Sequence, residues 1–365
     1  MMNLSELDQR GGEMILLQYW SVIETIVIIS VCVFILWRIV RSVKRNKTNP
    51  ISVPKTLSGR IGFSLLYVLR IVGVGLGAFL AVVFIVIMER NVYSVITETM
   101  PAPSEVNIPA GLPFDVEEVS FAGGDGFRMA GWKVPSQNGA TVILLHGYGG
   151  NRTGMLWHAK QLVNAGYGVL MYDERASGES EGTRRSYGWE DRRDVQGAIH
   201  FIETGSGKSK QRIGIAGCSI GAQISLHSAA YYPEIEAVWA DGPSGMRAKD
   251  IPGPKNPLMA LIILGNYSLD WMYEWRLGIE APSPIIEVIG DIGPHPIMLV
   301  GGGQPQPLIG SEGDMMIPQY AYYAGSNAQT WVIPEAVHCD GPAHRPDEYA
   351  ERMVEFFDAA FGIKR

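Results

Sequence analysis

Residues 212–230 read RIGIAGCSIGAQISLHSAA, and this segment indicates the architecture of the chain more clearly than any other. Residues 212–216 form a short run rich in isoleucine that predicts a strand, and residues 222–230 predict a helix. Between them lies Gly217-Cys218-Ser219-Ile220-Gly221, a G-x-S-x-G sequence whose glycines leave a tight turn unobstructed. A serine on such a turn projects its hydroxyl above the sheet, over the N-terminus of the following helix. The stretch therefore predicts strand, turn and helix, with Ser219 as the candidate nucleophile.

On both sides of this stretch, short apolar runs alternate with longer amphipathic ones. The runs predict further strands at Thr141–Leu145, Gly168–Tyr172, Ala237–Ala240, Pro296–Val300 and Gln329–Ile333, and helices near 154–165, 188–203, 220–231, 314–324 and 346–361. Such alternation indicates right-handed crossovers and a parallel sheet covered on both faces. Two earlier runs, Val116–Phe121 and Phe127–Val134, flank a glycine-rich turn and predict an antiparallel hairpin. We therefore expect an α/β fold with a mostly parallel, doubly wound sheet.

Residues 243–290 interrupt this alternation and are rich in Pro, Met, Trp and Tyr. An insertion at this point predicts a small cap over the C-terminal edge of the sheet, where open α/β folds bind ligands. Its apolar side chains include Trp271, Met272, Tyr273 and Trp275. A cap of this composition suits an acyl chain or a lipid ester, and it equally suits a lid that packs on the body.

A serine hydroxyl needs a neighbouring base, and the base needs a group that orients it. His338 follows the last predicted strand and is expected at the same sheet edge as Ser219. Asp314 follows strand 296–300 and completes the chain order Ser, Asp, His that α/β-hydrolases use. Glu312 and Asp241 are rival acids, because the first stands two residues from Asp314 and the second directly follows a strand.

Two backbone N–H groups are expected to stabilise the negative charge that develops during acyl transfer. Ile220, the residue after the nucleophile, provides the first. The loop after strand 141–145 reads His146-Gly147-Tyr148-Gly149-Gly150, and Tyr148 is the expected second donor. The glycines allow backbone to approach a substrate, although a glycine-rich turn without that role has the same composition.

These pieces together resemble the α/β-hydrolase superfamily, over the region from Phe114 to Ile363. The resemblance is carried by residues 144–152, 172–180, 188–194, 217–221 and 337–338, and it is greatest to serine hydrolases of the esterase, lipase and dipeptidyl-aminopeptidase or acylaminoacyl-peptidase types. It implies the α/β-hydrolase fold and a Ser219, Asp314, His338 triad. The sequence departs from the family pattern at Ala176, where glycine is usual, and at 304–313, which adds about ten residues before the acid.

Two long apolar runs precede this region, at 15–37 and 61–88. Each is long enough to cross a bilayer as a helix, and the acidic start of the chain is unlike a signal peptide. The sequence thus predicts a transmembrane helical hairpin in residues 1–90, a linker over 91–113 and a hydrolase domain over 114–365. The loop 38–60 carries seven Lys or Arg and no acid, so we expect it in the cytoplasm and the hydrolase domain on the extracytoplasmic side of the cell membrane.

Charge and cysteine content narrow the function classes. Residues 111–365 carry a net charge of −10, which argues against a nucleic-acid partner. Of the three cysteines, Cys32 lies in an apolar run, so at most one disulfide can form in the body. We expect Cys218 to be a packed core thiol and Cys339 to be incidental. No Cys and His spacing suits a metal, and we expect neither metal nor cofactor.

The sequence therefore predicts a membrane-anchored serine hydrolase that cleaves carboxylic esters, with a small-molecule or lipid acyl substrate and the bilayer as partners. An aminopeptidase-like or acylaminoacyl-peptidase-like activity stays open, because Glu274, Glu280 and Glu287 are available to bind a free amine. A catalytically silent hydrolase-fold module that only binds a ligand is a third hypothesis. The intact order of serine, acid and histidine argues against it.

Overall fold

A computed structural model describes Trp37, residues 68–69 and 72–86, and then residues 104–182, 184–205, 211–254, 257–305 and 313–365. The chain divides into two units, Met1–Asn91 and Val92–Arg365. The predicted span 15–37 lies outside the described residues except for Trp37. Within the predicted span 61–88, residues 72–86 are helical. No helix in the described part of the chain has both the length and the apolar character needed to span a bilayer.

The second unit is built on one eight-stranded sheet. Its strands, in chain order, are β1 (Glu117–Ala122), β2 (Arg128–Val134), β3 (Ala140–Leu145), β4 (Gly168–Tyr172), β5 (Arg212–Cys218), β6 (Ile235–Asp241), β7 (Ile297–Gly302) and β8 (Ala328–Ile333). The spatial order is β1-β2-β4-β3-β5-β6-β7-β8. Strand β2 is antiparallel to β1 and β4, and every other pair is parallel. The predicted hairpin and the mostly parallel sheet are confirmed.

Helices cover the sheet. They are α1 (Leu156–Asn164), α2 (Arg192–Gly205), α3 (Ile220–Ala229), α4 (Pro257–Leu277), α5 (Ile285–Val288), α6 (Ile317–Ala324), α7 (Gly341–His344) and α8 (Pro346–Phe361). Short 3-10 turns lie at Gly124–Gly126, Arg152–Met155, Ala248–Asp250, Ile289–Ile292 and Gly325–Asn327. All ten residues of α3 are buried, which places the helix that follows Ser219 in the interior.

The core explains why these runs become these elements. All six residues of β3 and all five of β4 are buried, as expected for central strands covered on both faces. Phe357 and Phe361 of α8 pack so closely on β5 that a Cβ at Gly214 would lie 2.7 Å from the Phe357 ring. Burial of such aromatic side chains contributes about 2–3 kcal/mol each.

The predicted insertion is helical in its centre. Helix α4 and the short α5 lie between β6 and β7, within residues 243–290. Arg247 and Asp270 form an ion pair at 3.0 Å that joins the start of the insertion to α4.

Ala176, which stands where the family pattern usually has glycine, has a φ of 51°. This left-handed conformation costs alanine about 1–2 kcal/mol, whereas glycine adopts it freely.

Candidate active site

Ser219 lies on a strained turn between β5 and α3. Its φ of 58° and ψ of −116° are rare for a residue with a side chain, and such strain costs about 1–3 kcal/mol. The turn is held because the Ser219 N–H donates to the Asp241 carbonyl oxygen at 2.8 Å. A Cβ at Gly217 would overlap the backbone of Gly221, and one at Gly221 would overlap the Leu145 carbonyl oxygen. The two glycines of the motif are therefore required by close backbone approach.

The structure brings His338 to this serine. His338 lies in the loop after β8, with Nε2 2.9 Å from Ser219 Oγ and Nδ1 2.7 Å from Asp314 Oδ1. The carboxylate accepts the Nδ1–H, so Nε2 is the ring nitrogen that accepts the serine hydroxyl proton. The hydrogen bond to Asp314 raises the pKa of His338, and burial of the ring acts against it. This is the geometry that a general base for the serine needs.

Asp314 is held by both of its carboxylate oxygens. Oδ1 contacts His338, and Oδ2 accepts the N–H of Gly302, the last residue of β7, at 2.8 Å. The Asp314 N–H in turn donates to the Gly302 carbonyl oxygen at 3.0 Å. Asp314 thus lies at the end of β7 although about ten residues are added before it in the sequence. Because the carboxylate is 5% exposed, its interaction with the imidazole is little screened by water.

Asp241, one of the two rival acids, has a different partner in the structure. Asp241 is buried, and its Oδ2 accepts the Tyr349 hydroxyl at 2.8 Å. Tyr349 also accepts the indole N–H of Trp239 at 2.9 Å, which completes a buried chain beneath the site. Burial raises the pKa of Asp241 to about 6, with the Tyr349 hydrogen bond acting in the opposite direction. Glu312 lies outside the described residues.

The loop after β3 packs directly against the nucleophile. A Cβ at Gly147 would lie 3.7 Å from the Cβ of Ser219. His146 anchors the loop, because its Nδ1–H donates to Gly147 O at 2.8 Å and its Nε2 accepts the Glu174 N–H at 3.0 Å. Burial lowers the pKa of His146 to about 4, so the ring is neutral. Tyr148 therefore lies on a fixed loop beside Ser219.

Ile220, the other predicted oxyanion donor, is the first residue of α3. The first N–H groups of a helix have no acceptor within the helix, which suits them to bind an anion. The structure thus brings the loop that carries Tyr148 next to Ser219, the residue that directly precedes α3. This arrangement is the one an oxyanion site requires.

Cys218 and Cys339 form a disulfide, with Cα atoms 6.0 Å apart. The interpretation of these residues as a packed thiol and an incidental cysteine is wrong. The bond joins the residue before Ser219 to the residue after His338, across 121 positions of sequence. The pairing arises because parallel strands β5 and β8 bring the loops at their C-terminal ends to one edge of the sheet.

Aromatic side chains line the site next to α3. Gln223 in the first turn of α3 donates from Nε2 to the Tyr187 carbonyl oxygen at 2.9 Å. The Tyr187 ring contacts that of Tyr148 edge to face, with centroids 5.9 Å apart. The cap joins this wall through Tyr273, whose ring lies 5.4 Å from that of Trp189. Sequence reasoning missed Tyr187, because no local pattern ties its segment to the nucleophile.

The cap helix α4 has two different faces. Met272 and Tyr273 are buried, whereas Trp271 is 64% exposed and Trp275 is 49% exposed. The two indole rings stack in parallel with centroids 6.1 Å apart. The prediction that the cap packs on the body therefore holds for one face of the helix.

The chain is similar in sequence to a hydrolase family and to individual proteins. Residues 136–302 match the hydrolase family described as serine aminopeptidase, S33. A relative from Escherichia coli strain K12, named as uncharacterized protein YfhR, is 29% identical over 266 residues, which are 68% of this chain and 82% of the relative. The region that matches the family, residues 136–302, contains β3 to β7 and Ser219.

Two solved structures share the architecture. The Pyrococcus furiosus esterase Pf2001 superposes with a TM-score of 0.57 at 23% identity, covering 71% of this chain and 98% of that one. The α/β hydrolase GrgF from Penicillium sp. sh18 gives a TM-score of 0.53 at 17% identity, covering 68% and 100%. At these identities the likeness establishes the fold.

Proposed function

We propose that this chain, a member of the α/β-hydrolase superfamily, is a serine hydrolase that cleaves carboxylic esters through an acyl-enzyme on Ser219. The observation that carries the proposal is the hydrogen-bonded series from Ser219 Oγ to His338 and from His338 to Asp314. Ser219 has a φ of 58°, a strained conformation of the kind that clusters at active sites.

The chemistry follows from this geometry. His338 Nε2 removes the hydroxyl proton as Ser219 Oγ bonds to the substrate carbonyl carbon, and the oxyanion that forms faces the N–H groups of Tyr148 and Ile220. His338 then protonates the leaving alcohol, and the acyl group stays on Ser219. A water molecule, deprotonated by the same nitrogen, releases the acid and restores the serine. Asp314 stabilises the charged imidazolium of His338 during both acylation and deacylation.

A fluorophosphonate probe tests for an activated serine. We expect covalent labelling of the wild-type chain, and loss of both labelling and p-nitrophenyl ester hydrolysis in Ser219→Ala. Ser225→Ala is the matched control, because Ser225 lies on the same buried helix and its hydroxyl bonds the Gly221 carbonyl oxygen at 2.7 Å. Absence of labelling in folded wild-type protein would refute the proposal and favour a silent hydrolase-fold module.

A peptidase is the second candidate, because the matching family is described as a serine aminopeptidase. An aminopeptidase needs carboxylates for the substrate amine, and the predicted candidates are partly engaged elsewhere. Glu287 pairs with Lys249, and Glu274 accepts the Ala281 N–H at 3.1 Å. We therefore favour esters. Comparing kcat/KM for p-nitrophenyl esters and for aminoacyl-p-nitroanilides decides between the two.

We further propose that apolar runs 15–37 and 61–88 anchor the chain in a membrane and that the hydrolase domain faces the extracytoplasmic side. The seven basic residues of loop 38–60 support this orientation. The Cys218–Cys339 disulfide supports an oxidising compartment, and exposed Trp271 on the cap suits the acyl chain of an ester substrate. Protease added to intact spheroplasts should digest the domain; protection until lysis would reverse the orientation.

A further inference from the structure

Arg185 contacts the loop that packs on Ser219, and no role in the proposed reaction accounts for it. Its guanidinium carbon is 5.4 Å from the centre of the Tyr148 ring. A Cβ at Gly149 would lie 3.8 Å from one guanidinium nitrogen. Both neighbours belong to the loop that packs on Ser219 and carries the second oxyanion donor. The cation therefore lies beside the loop that carries the predicted oxyanion donor Tyr148.

The segment that carries Arg185 is fixed from two directions. The Arg185 Nε–H donates to Ser177 Oγ at 3.1 Å, which holds the side chain to the loop after β4. Two residues on, the Tyr187 carbonyl oxygen accepts the Gln223 amide of α3. Arg185 thus approaches the site as a placed side chain, with less conformational entropy to lose when it binds a ligand.

Arg185 forms no salt bridge in the part of the chain that the structure describes. Its neighbour Arg184 pairs with Glu190 at 3.3 Å, but no Asp or Glu of the described residues pairs with Arg185. The buried carboxyl of Glu174 is close enough to interact electrostatically with Arg185, but no hydrogen bond joins the two side chains; burial raises the pKa of Glu174 well above its ordinary value, and the charge of Arg185 acts against that shift. His146 is neutral, because burial lowers its pKa to about 4.

The geometry points to a specificity role: Arg185 binds a carboxylate carried by the substrate, so the preferred substrates are anionic esters. This inference rests on the proposed ester hydrolysis by Ser219. A guanidinium offers paired N–H donors that match the two oxygens of a carboxylate, and four of its five donors have no acceptor among the described residues. The same charge repels the free amine of an aminopeptidase substrate, which is a second reason to favour esters.

The inference is tested with two p-nitrophenyl esters of equal acyl length, the hydrogen adipate and the hexanoate. They differ only in a terminal carboxylate, so the ratio of their kcat/KM values isolates anion binding. We expect the wild-type ratio to favour the adipate by about tenfold, the effect of one hydrogen-bonded charge pair. The gain should appear in KM and should decline as salt is added, because the pair is partly exposed.

Variants separate this role from a structural one. Arg185→Gln should lower the ratio about tenfold, whereas Arg185→Lys should restore part of it because the charge is kept. Arg184→Gln is the matched control and should leave the ratio unchanged, because Arg184 pairs with Glu190. The inference would be overturned, with ester hydrolysis still standing, by a wild-type ratio of one. It would also be overturned if Arg185→Gln and Arg184→Gln lowered the ratio equally. Failure of both esters together with absent fluorophosphonate labelling would instead refute the proposed function.

Discussion

Replacing Asp314 by asparagine should reduce kcat far more than the small change in shape suggests. In the wild-type protein Oδ2 of Asp314 accepts the Gly302 N–H, and Oδ1 accepts the Nδ1–H of His338. An asparagine keeps its carbonyl oxygen on Gly302, so its NH₂ group faces His338. Nδ1 must then act as the acceptor and the proton moves to Nε2. That tautomer cannot remove the proton from Ser219.

Loss of the correct tautomer costs on the order of 10³-fold to 10⁴-fold in kcat, which is about 4–5.5 kcal/mol of transition-state stabilisation. The pH profile should change with it. In the wild-type protein the Asp314 contact raises the pKa of His338, and the base must be neutral, so activity falls as pH drops through that raised value. Asp314→Asn removes the negative charge, and its residual activity should persist to lower pH.

Steady-state hydrolysis of a p-nitrophenyl ester across pH measures both effects, with circular dichroism to establish that the variant is folded. Asp241→Asn is the control, because Asp241 is also a buried carboxylate near the site but bonds Tyr349. It should lower stability while retaining most of kcat. The reasoning is refuted if Asp314→Asn retains activity within about threefold of wild type, or if Asp241→Asn proves the more damaging.

Three further changes should act on stability, each measured by urea unfolding. Reduction of the Cys218–Cys339 bond should lower the free energy of unfolding by about 4–5 kcal/mol, because it frees a loop of 121 residues; a reductant effect of equal size in a double alanine variant would contradict this. Gly221→Ala should destabilise the protein by about 1–3 kcal/mol, because the added Cβ overlaps the last carbonyl oxygen of β3. A variant as stable as the wild-type protein would contradict this and show that the turn can widen. Asp173→Asn should lower the free energy of unfolding by about 3 kcal/mol, because the buried guanidinium of Arg152 loses the negative charge that pairs with it at 2.5 Å. An unchanged free energy of unfolding would contradict this.

The sequence predicts those parts of the fold and site that depend on local chain geometry. A Cβ at Gly217 or Gly221 would overlap neighbouring backbone, so glycines on both sides of Ser219 predict a tight turn between the strand and the helix before a structure is known. The alternation of strands and helices then predicts a mostly parallel sheet and places His338 at the same edge as Ser219. The hydrogen-bond partners of His338 agree with the predicted arrangement of Ser219 and Asp314.

Features that depend on contacts between distant segments were not predictable. Nothing near Cys218 or Cys339 in sequence reveals that their loops meet, because the pairing is made by the sheet. The sequence does not single out Arg185, since its proposed role depends on guanidinium donors without acceptors among the described residues, which only the folded loops define. The engagement of Asp241 by Tyr349 likewise depends on how α8 crosses the sheet, so sequence alone left Asp241 a plausible rival to Asp314.

The Cys218–Cys339 disulfide has a consequence for proteolytic processing. The covalent ring it closes contains β6, the whole cap and β7. A single peptide-bond cleavage anywhere within that ring produces a two-chain protein whose halves remain linked, with Ser219 on one half and His338 on the other. The fragments would separate on an electrophoresis gel only after reduction. A nick in the cap therefore leaves Ser219 and His338 in one covalently linked molecule.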